Sequence, residues 1–460
     1  MVGPASARLA STATILFGLL GTYIVLPPES AADIFTISAF GVGLSLCLAT
    51  GIEGTGGVRR LIRIDILILW LLYGLTFLEF LFPQPRVDAL VSAGAAASGT
   101  NAVLIGFAGI SIGRHLIPRR NKSRPLSGFI VLQPTDVFLL FVLATVLGYS
   151  HIFLAVNFDP LEALRQMALP RGSQSWGRGK YGDVYSLLYE VGALIYLIPP
   201  IAAFIYADSR QYGGFQKGIV TIVLLLTFYY GFAGGTRSIF VSYVITFGGM
   251  YVIARPRISL QQALLAGIPM LALLMIALVY MLEFRTVGVG EFSFAEHGPD
   301  TFFVDYNLVM VSRLTEVFPD LVDFLGLEIP FNALIRPIPR VFWPGKPEGL
   351  SVSIESALGS TGPTTISCTF VGEAYMAGGL VAVLLISVFF GALAESWNRV
   401  GGNGNLRFGQ LLYVSGFLCA AIAMRSMLSM VPFMLPTLAL WLYGRLWLRD
   451  SSGRHSPSSA

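Results

Sequence analysis

Charge is what this chain has least of. Charged residues make up 12% of the 460, whereas hydrophobic ones make up 55% and mean hydropathy is +0.72. A soluble domain carries about a quarter of its residues as charges, so this composition excludes an ordinary water-solvated globule and implies a polytopic membrane protein. Cysteine is nearly absent too. Cys47, Cys368 and Cys419 are too few and too scattered for a disulfide framework or a thiolate metal site. No GxxxxGK[ST] loop and no dinucleotide fingerprint occurs, which disfavours an ATP-driven pump or a nucleotide enzyme. The four histidines, His115, His151, His297 and His455, form no paired zinc signature. No two aspartates stand one residue apart, so the usual clamp for a nucleotide-sugar donor is missing. No metal, cofactor or nucleic-acid partner is expected.

Long apolar runs are abundant. A bilayer core takes about 20 helical residues per crossing, and about twelve candidate spans can be counted. They fall near 11–27, 34–51, 64–82, 89–112, 136–156, 184–207, 218–234, 237–254, 262–283, 371–393, 408–428 and 430–448. Runs such as IDILILWLLYGLTFLEFLF lack the alternation of barrel strands, so the spans are read as helices in an all-α fold. Span four is rich in Gly, Ala and Ser and is the weakest, and span eleven contains Arg425. The organisation expected is helices one to nine over 1–283, one large polar loop over 284–370, three more helices over 371–448, and a disordered tail over 449–460.

Placing the N-terminus in the cytoplasm puts Arg59, Arg60, Arg63, the run RHLIPRRNKSR, Arg210, Lys217, Arg255, Arg257, Arg399, Arg407 and the C-terminal arginines on the inner side, as the positive-inside rule asks. Both termini are then cytoplasmic and the large loop faces outward, toward the periplasm of a bacterium. Cations on the outer side need another reason: Arg165, Arg171, Arg178, Lys180, Arg237, Arg285, Arg313, Arg336, Arg340, Lys346 and Arg425. Ionisable groups at the membrane boundary are costly and suggest function, although a helix-end Arg also snorkels to headgroups. Glu190, Glu373, Glu79 and Asp65 lie near span ends; the last two read as structural, and Glu190 as buried with a basic partner. On the outer side only His297 and His151 offer an imidazole.

The segment NALIRPIPRVFWPGKP sets Arg336, Arg340 and Lys346 among four prolines, with Phe342 and Trp343 between them. Guanidinium forks bind phosphate oxygens bidentately, and aromatic faces suit sugar rings. An outer site has no nucleotide supply, so an activated sugar has to arrive on a lipid carrier. RPIPRVFWPGKP, followed by FVGEAYMAGG and an apolar helix late in a many-helix chain, resembles the oligosaccharide repeat-unit polymerases, the Wzy-type O-antigen polymerases. The motif-level likeness covers about residues 330 to 393, and the topology covers the whole chain. Arg171 and Gly182 also match an Arg-then-Gly spacing of eleven found in some members' outer loops, a match that 50 glycines make easy by chance.

The resemblance implies a GT-C-type glycosyltransferase of the bacterial inner membrane that joins undecaprenyl-diphosphate-linked repeats and releases undecaprenyl diphosphate, beside a flippase and a chain-length regulator. It places Arg336, Arg340 and Lys346 in the site, with Glu373 close by. On chemical grounds, stabilising the departing diphosphate falls to Arg237, Arg336, Arg340 and Arg425, with Arg171, Arg285, Lys346 and Trp343 as further binding residues. The candidates for activating the acceptor hydroxyl are Glu373, then His297. An O-antigen ligase shares this topology and donor, and a flippase or transporter for lipid-linked sugar fits the span count; both stand as alternatives.

Overall fold

The computed structural model describes the chain except residues 1–3, 28, 56, 118–131, 177–189, 256–258, 294–301, 303, 339, 341, 348, 353–366, 403–406 and 449–460. Among the described residues all regular structure is helical. The main helices are α1 (Pro4–Val25), α2 (Ala31–Gly54), α3 (Ile64–Thr76), α4 (Ala93–Gly113), α5 (Pro134–Ala155), α6 (Ile198–Ala207), α7 (Gly214–Ala233), α8 (Arg237–Ala254) and α9 (Leu260–Val287). After them come α10 (Asn307–Val317), α11 (Glu328–Ile335), α12 (Thr369–Gly402), α13 (Arg407–Arg425), α14 (Met427–Met430) and α15 (Leu435–Trp447). Among the described residues ten segments are long and apolar enough to cross a membrane, and two shorter apolar helices, Ile64–Thr76 and Gly192–Ala207, lie where the third and sixth crossings were expected.

The weakest expected span is one of the most enclosed. Two thirds of the apolar window of α4 is buried, with Ala96, Ala102, Val103, Phe107 and Ile110 fully so. Its small residues explain this. A side chain at Gly109 or Gly113 would run into Ser387 and Val388 of α12, and one at Gly391 of α12 would run into the Ile110 carbonyl of α4. In a membrane there is no water to expel, so packing of small residues is what lets two helix backbones meet this closely.

The late polar excursion is partly an inward structure. α10 buries Leu308, Val309, Val311 and Leu314 and sits beside α4, where Ser312 fills the space a side chain at Gly99 would need. The expected loop of 284–370 therefore contributes a core element, and it begins later than expected because α9 runs to Val287. α12 contains a non-helical break at Gly378 and Gly379; Gly379 has φ +63°, a conformation that a side chain resists. The break separates the first turns of α12, which hold Glu373, from its long remainder.

The helices define two faces. At one, Arg8, Arg63 and Arg114 meet Glu53, Asp65 and Glu395. Arg114 is 1% exposed; it pairs with Glu53 at 2.8 Å and donates to Thr12 at 2.6 Å. Arg63 holds Asp65 at 2.7 Å and Glu53 at 2.9 Å, and Arg8 holds Glu395 at 2.7 Å. Asn398 donates to the other Asp65 oxygen at 2.6 Å. Arg63 and Arg114, which read in the sequence as orientation signals, are thus paired within the bundle, and Asp65 is structural as expected. The other face carries the candidate site.

Candidate functional site

The site is built where four helix ends converge. Between α7 and α8 the chain turns through Gly234, Gly235 and Thr236, and Gly235 adopts φ +63°. A side chain at Gly235 would occupy the place of the Arg285 side chain, so the glycine that shapes the turn also makes room for a cation from the end of α9. The chain beyond α9 is tied back by the Val289 N–H, which donates to the Ala168 carbonyl at 2.8 Å. This brings Arg171 alongside, and its Nη1 donates to Thr236 Oγ1 at 3.2 Å. From the end of α13, Arg425 Nη1 reaches Ser238 Oγ at 3.4 Å. Arg425 is the last residue of its helix and of the membrane-crossing segment Phe408–Arg425, which stops short of the expected 428.

Arg237 opens α8 and is turned inward. It donates to the Val304 carbonyl and pairs with Asp305 at 3.5 Å, its side chain only 9% exposed. Asp305 lies within electrostatic reach of Arg237, Arg425 and Arg285. Burial raises its carboxyl above the ordinary carboxylate range, and the three guanidiniums act against that rise. Arg171 and Arg285 are exposed and Arg425 is half-buried. The group is one acid among four cations, with a surplus of positive charge turned outward.

A second group adjoins it through Glu373 in the first turns of α12. Its Oε1 accepts from Ser426 Oγ at 2.6 Å; its Oε2 accepts the backbone N–H of Met427 and, at 3.2 Å, that of Leu428. Both oxygens accept hydrogen bonds, so the carboxylate anchors the start of α14. Arg336 Nη1 donates to the Leu428 carbonyl at 3.4 Å, which places it over the same anchor. Lys346 Nζ donates to the carbonyls of Arg336 and Ile338 at 2.8 and 3.0 Å, folding the proline-rich segment onto itself. Burial and the nearby Arg340 and Arg336 lower the Lys346 ammonium below its usual range, and Glu190 lies within electrostatic reach of it. Arg340 donates to the Pro347 carbonyl at 3.3 Å within its own loop. Trp343 is exposed beside it.

The structure therefore gathers Arg171, Arg237, Arg285 and Arg425 in one group and Arg336 and Lys346 in a neighbouring one, bridged by Glu373, Ser426 and Leu428. His297 lies outside the described residues. His151 lies away from both groups; it is buried in α5 with Nδ1 2.9 Å from the Gly148 carbonyl, packed where a side chain at Gly192 would stand. Among the described residues no three His, Cys, Asp or Glu side chains gather as a cation site.

Sequence reading missed Asp305 and the reach of Glu79. Glu79 Oε2 accepts the backbone N–H of Val304 at 2.8 Å and of Tyr306 at 3.4 Å, 225 and 227 positions along the chain. Gln84 Nε2 donates to the carbonyls of Glu79 and Phe302 at 2.9 and 2.6 Å, and its Oε1 accepts the Tyr306 hydroxyl at 2.9 Å. No spacing rule links residue 79 to residue 305. The sequence carries no signal that singles out Asp305, which is one of ten acids between residues 284 and 370.

No protein-family model matches the chain, and neither a curated protein nor a solved structure does.

Proposed function

We propose that the protein is a GT-C-type glycosyltransferase of a bacterial inner membrane that polymerises undecaprenyl-diphosphate-linked repeat units at the outer face. The observation that carries this reading is that Arg171 and Arg425 lie within electrostatic reach of Arg285 at the end of α9, with Arg336 and Lys346 adjoining. A diphosphate has several acceptor oxygens, stays anionic throughout the reaction and gains charge as its bond to the sugar breaks, so it is the ligand that three guanidiniums suit best. The surroundings support a lipid-borne version. Leu327, Phe331, Leu334 and Phe342 are all exposed next to Arg336, an apolar surface that acyl chains would cover.

In the reaction the acceptor sugar's hydroxyl oxygen attacks the anomeric carbon of the donor glycan. The new glycosidic C–O bond forms as the bond to the diphosphate breaks, and the leaving diphosphate takes the electron pair. Arg171, Arg285 and Arg425 stabilise that charge. Glu373 and Lys346 hold the shape of the walls, Glu373 by fixing α14 and Lys346 by closing the proline-rich segment.

The test is glycan length in cells that lack the chromosomal copy and carry wild-type, Arg285→Ala or Arg425→Ala protein at equal levels. Wild-type protein restores long polymer, while the variants leave single repeats on the final acceptor. Long polymer stranded on undecaprenyl diphosphate in the empty cells would identify a ligase instead. Wild-type failure to restore any polymer would overturn the reading.

A further inference from the structure

We infer that Asp305 is the proton acceptor for the attacking hydroxyl and that Arg237 is its positioning residue, not a ligand of the diphosphate; this rests on the glycosyl-transfer reading above. Residue 302 and residues 304–307 belong to a strap that is held from several sides. Both amides that flank Asp305, those of Val304 and Tyr306, donate to the buried carboxylate of Glu79. The Phe302 carbonyl and the Tyr306 hydroxyl are held by Gln84. The Val304 carbonyl accepts from Arg237, and Asn307 Nδ2 donates to the Leu75 carbonyl at 2.9 Å. Tyr306 takes φ +49°, a left-handed conformation uncommon for a residue with a large side chain. Backbone strain of this kind persists only where surrounding contacts over-determine it, and it concentrates at functional sites.

Among the described residues of the strap, Asp305 is the one whose side chain faces the cations. Glu79 and Gln84 spend their groups on backbone, whereas the Asp305 side chain is 30% exposed and contacts Arg237 at 3.5 Å. The four arginines also divide by their contacts. Arg237 is turned inward onto Val304 and Asp305, while Arg171 and Arg285 are exposed and Arg425 half-buried. A group whose bonds are made to the strap orients the carboxylate; groups that face outward are placed for a ligand's oxygens. Glu373 has its oxygens committed to Ser426, Met427 and Leu428, so Asp305 is the acid beside the cations with capacity to accept a proton. In the step, the acceptor O–H gives its proton to Asp305 as its oxygen bonds the anomeric carbon, and the diphosphate leaves toward Arg171, Arg285 and Arg425. The groups facing Asp305 are Arg237 on α8, Arg285 on α9 and Arg425 on α13, with Glu79 beneath the strap.

The experiment compares wild-type, Asp305→Asn, Asp305→Glu and Arg285→Ala proteins, full length in nanodiscs, with two readouts. One is polymer formed in membranes from cells lacking the wild-type copy; the other is binding of undecaprenyl diphosphate to the purified protein. Asp305→Asn is expected to slow polymer formation at least about 100-fold, a general-base contribution, while undecaprenyl diphosphate binds as well as to wild type or better. Asp305→Glu is expected to recover part of the rate, and Arg285→Ala to weaken binding. Wild-type polymer length with Asp305→Asn overturns the assignment and leaves the polymerase reading standing. Parallel loss of polymer, binding and thermal stability in Asp305→Asn also overturns it, by making the residue structural. Absence of polymer with the wild-type protein removes both.

Discussion

The Ser426 hydroxyl donates to the Glu373 carboxylate across 2.6 Å, joining the start of α12 to the start of α14. With the Met427 and Leu428 amides on its other oxygen, Glu373 serves as a cap contributed by a different helix. Glu373→Gln keeps an acceptor for Ser426 but turns an NH2 group toward two N–H donors. The expected loss is about 1.5–3 kcal/mol, the range for hydrogen bonds to a charged group, read as a lower midpoint of thermal unfolding in detergent. Ser426→Ala should cost about 1 kcal/mol. An unchanged midpoint in Glu373→Gln would return the residue to the list of catalytic candidates.

The six-charge cluster at the opposite face is balanced, three arginines against three acids. Arg114→Met removes a cation that is 1% exposed and leaves Glu53 and Asp65 short of a partner. Breaking one side of a buried pair costs about 3–5 kcal/mol. Glu53→Gln with Arg114→Gln should lose less than the sum of the two single changes, because neither charge is then stranded. Thermal midpoints for the four proteins of this cycle decide the matter, and simple additivity would argue against the coupling.

The seam between α4 and α12 sets a different test. Gly113→Val drives a side chain into the Val388 backbone, and Gly391→Val does the same to Ile110, contacts that a rotamer change cannot relieve. Each is expected to destabilise by at least about 1–3 kcal/mol. Gly51→Ala, where no atom lies within 4 Å of the added carbon, should be neutral or mildly stabilising. Equal effects at the three positions would mean that the seam is not a tight one.

His115 gives the protein a pH dependence with a definite sign. Burial, Arg114 and Arg8 lower its imidazole from 6.5 to about 4, while its Nε2 lies 2.7 Å from Thr12 Oγ1. A depressed folded-state pKa contributes stability that is present above the unfolded value and lost as pH falls through the folded one. Between about pH 6.5 and 4 the unfolded chain binds a proton that the folded chain refuses, so stability falls across that window. His115→Gln should flatten this part of the profile relative to wild type, measured as unfolding midpoint against pH. Identical slopes in the two proteins would exclude the contribution.

The helical membrane architecture was legible because apolar length is local information: α2, α5, α9 and α12 can be recognised from their own residues. α4 was harder to read. Its glycines and alanines lower hydropathy, and their value lies in what they allow α12 to do, which no window over α4 reports. Arg237, Arg285 and Arg425 were singled out because a cation at a membrane boundary is conspicuous in so apolar a chain, and Arg336 and Lys346 because of the proline-rich segment that carries them. Glu373 was singled out too, but its anchoring of α14 was not legible, since the donors that occupy it lie 53 to 55 positions away.

By itself the sequence determined that the chain lives in a membrane as many helices and that arginines stand at several helix ends. Both follow from composition and spacing, because transfer into hydrocarbon is summed residue by residue. Only the tertiary structure decided which charges are neutralised and which are presented. Arg114 and Arg285 are the same residue type in similar helix-end positions, yet one is enclosed by Glu53, Asp65 and Thr12 while the other stands exposed over Gly235. The difference arises from partners distant in the chain, and electrostatic energy depends on distance in space and on burial, not on order in the sequence.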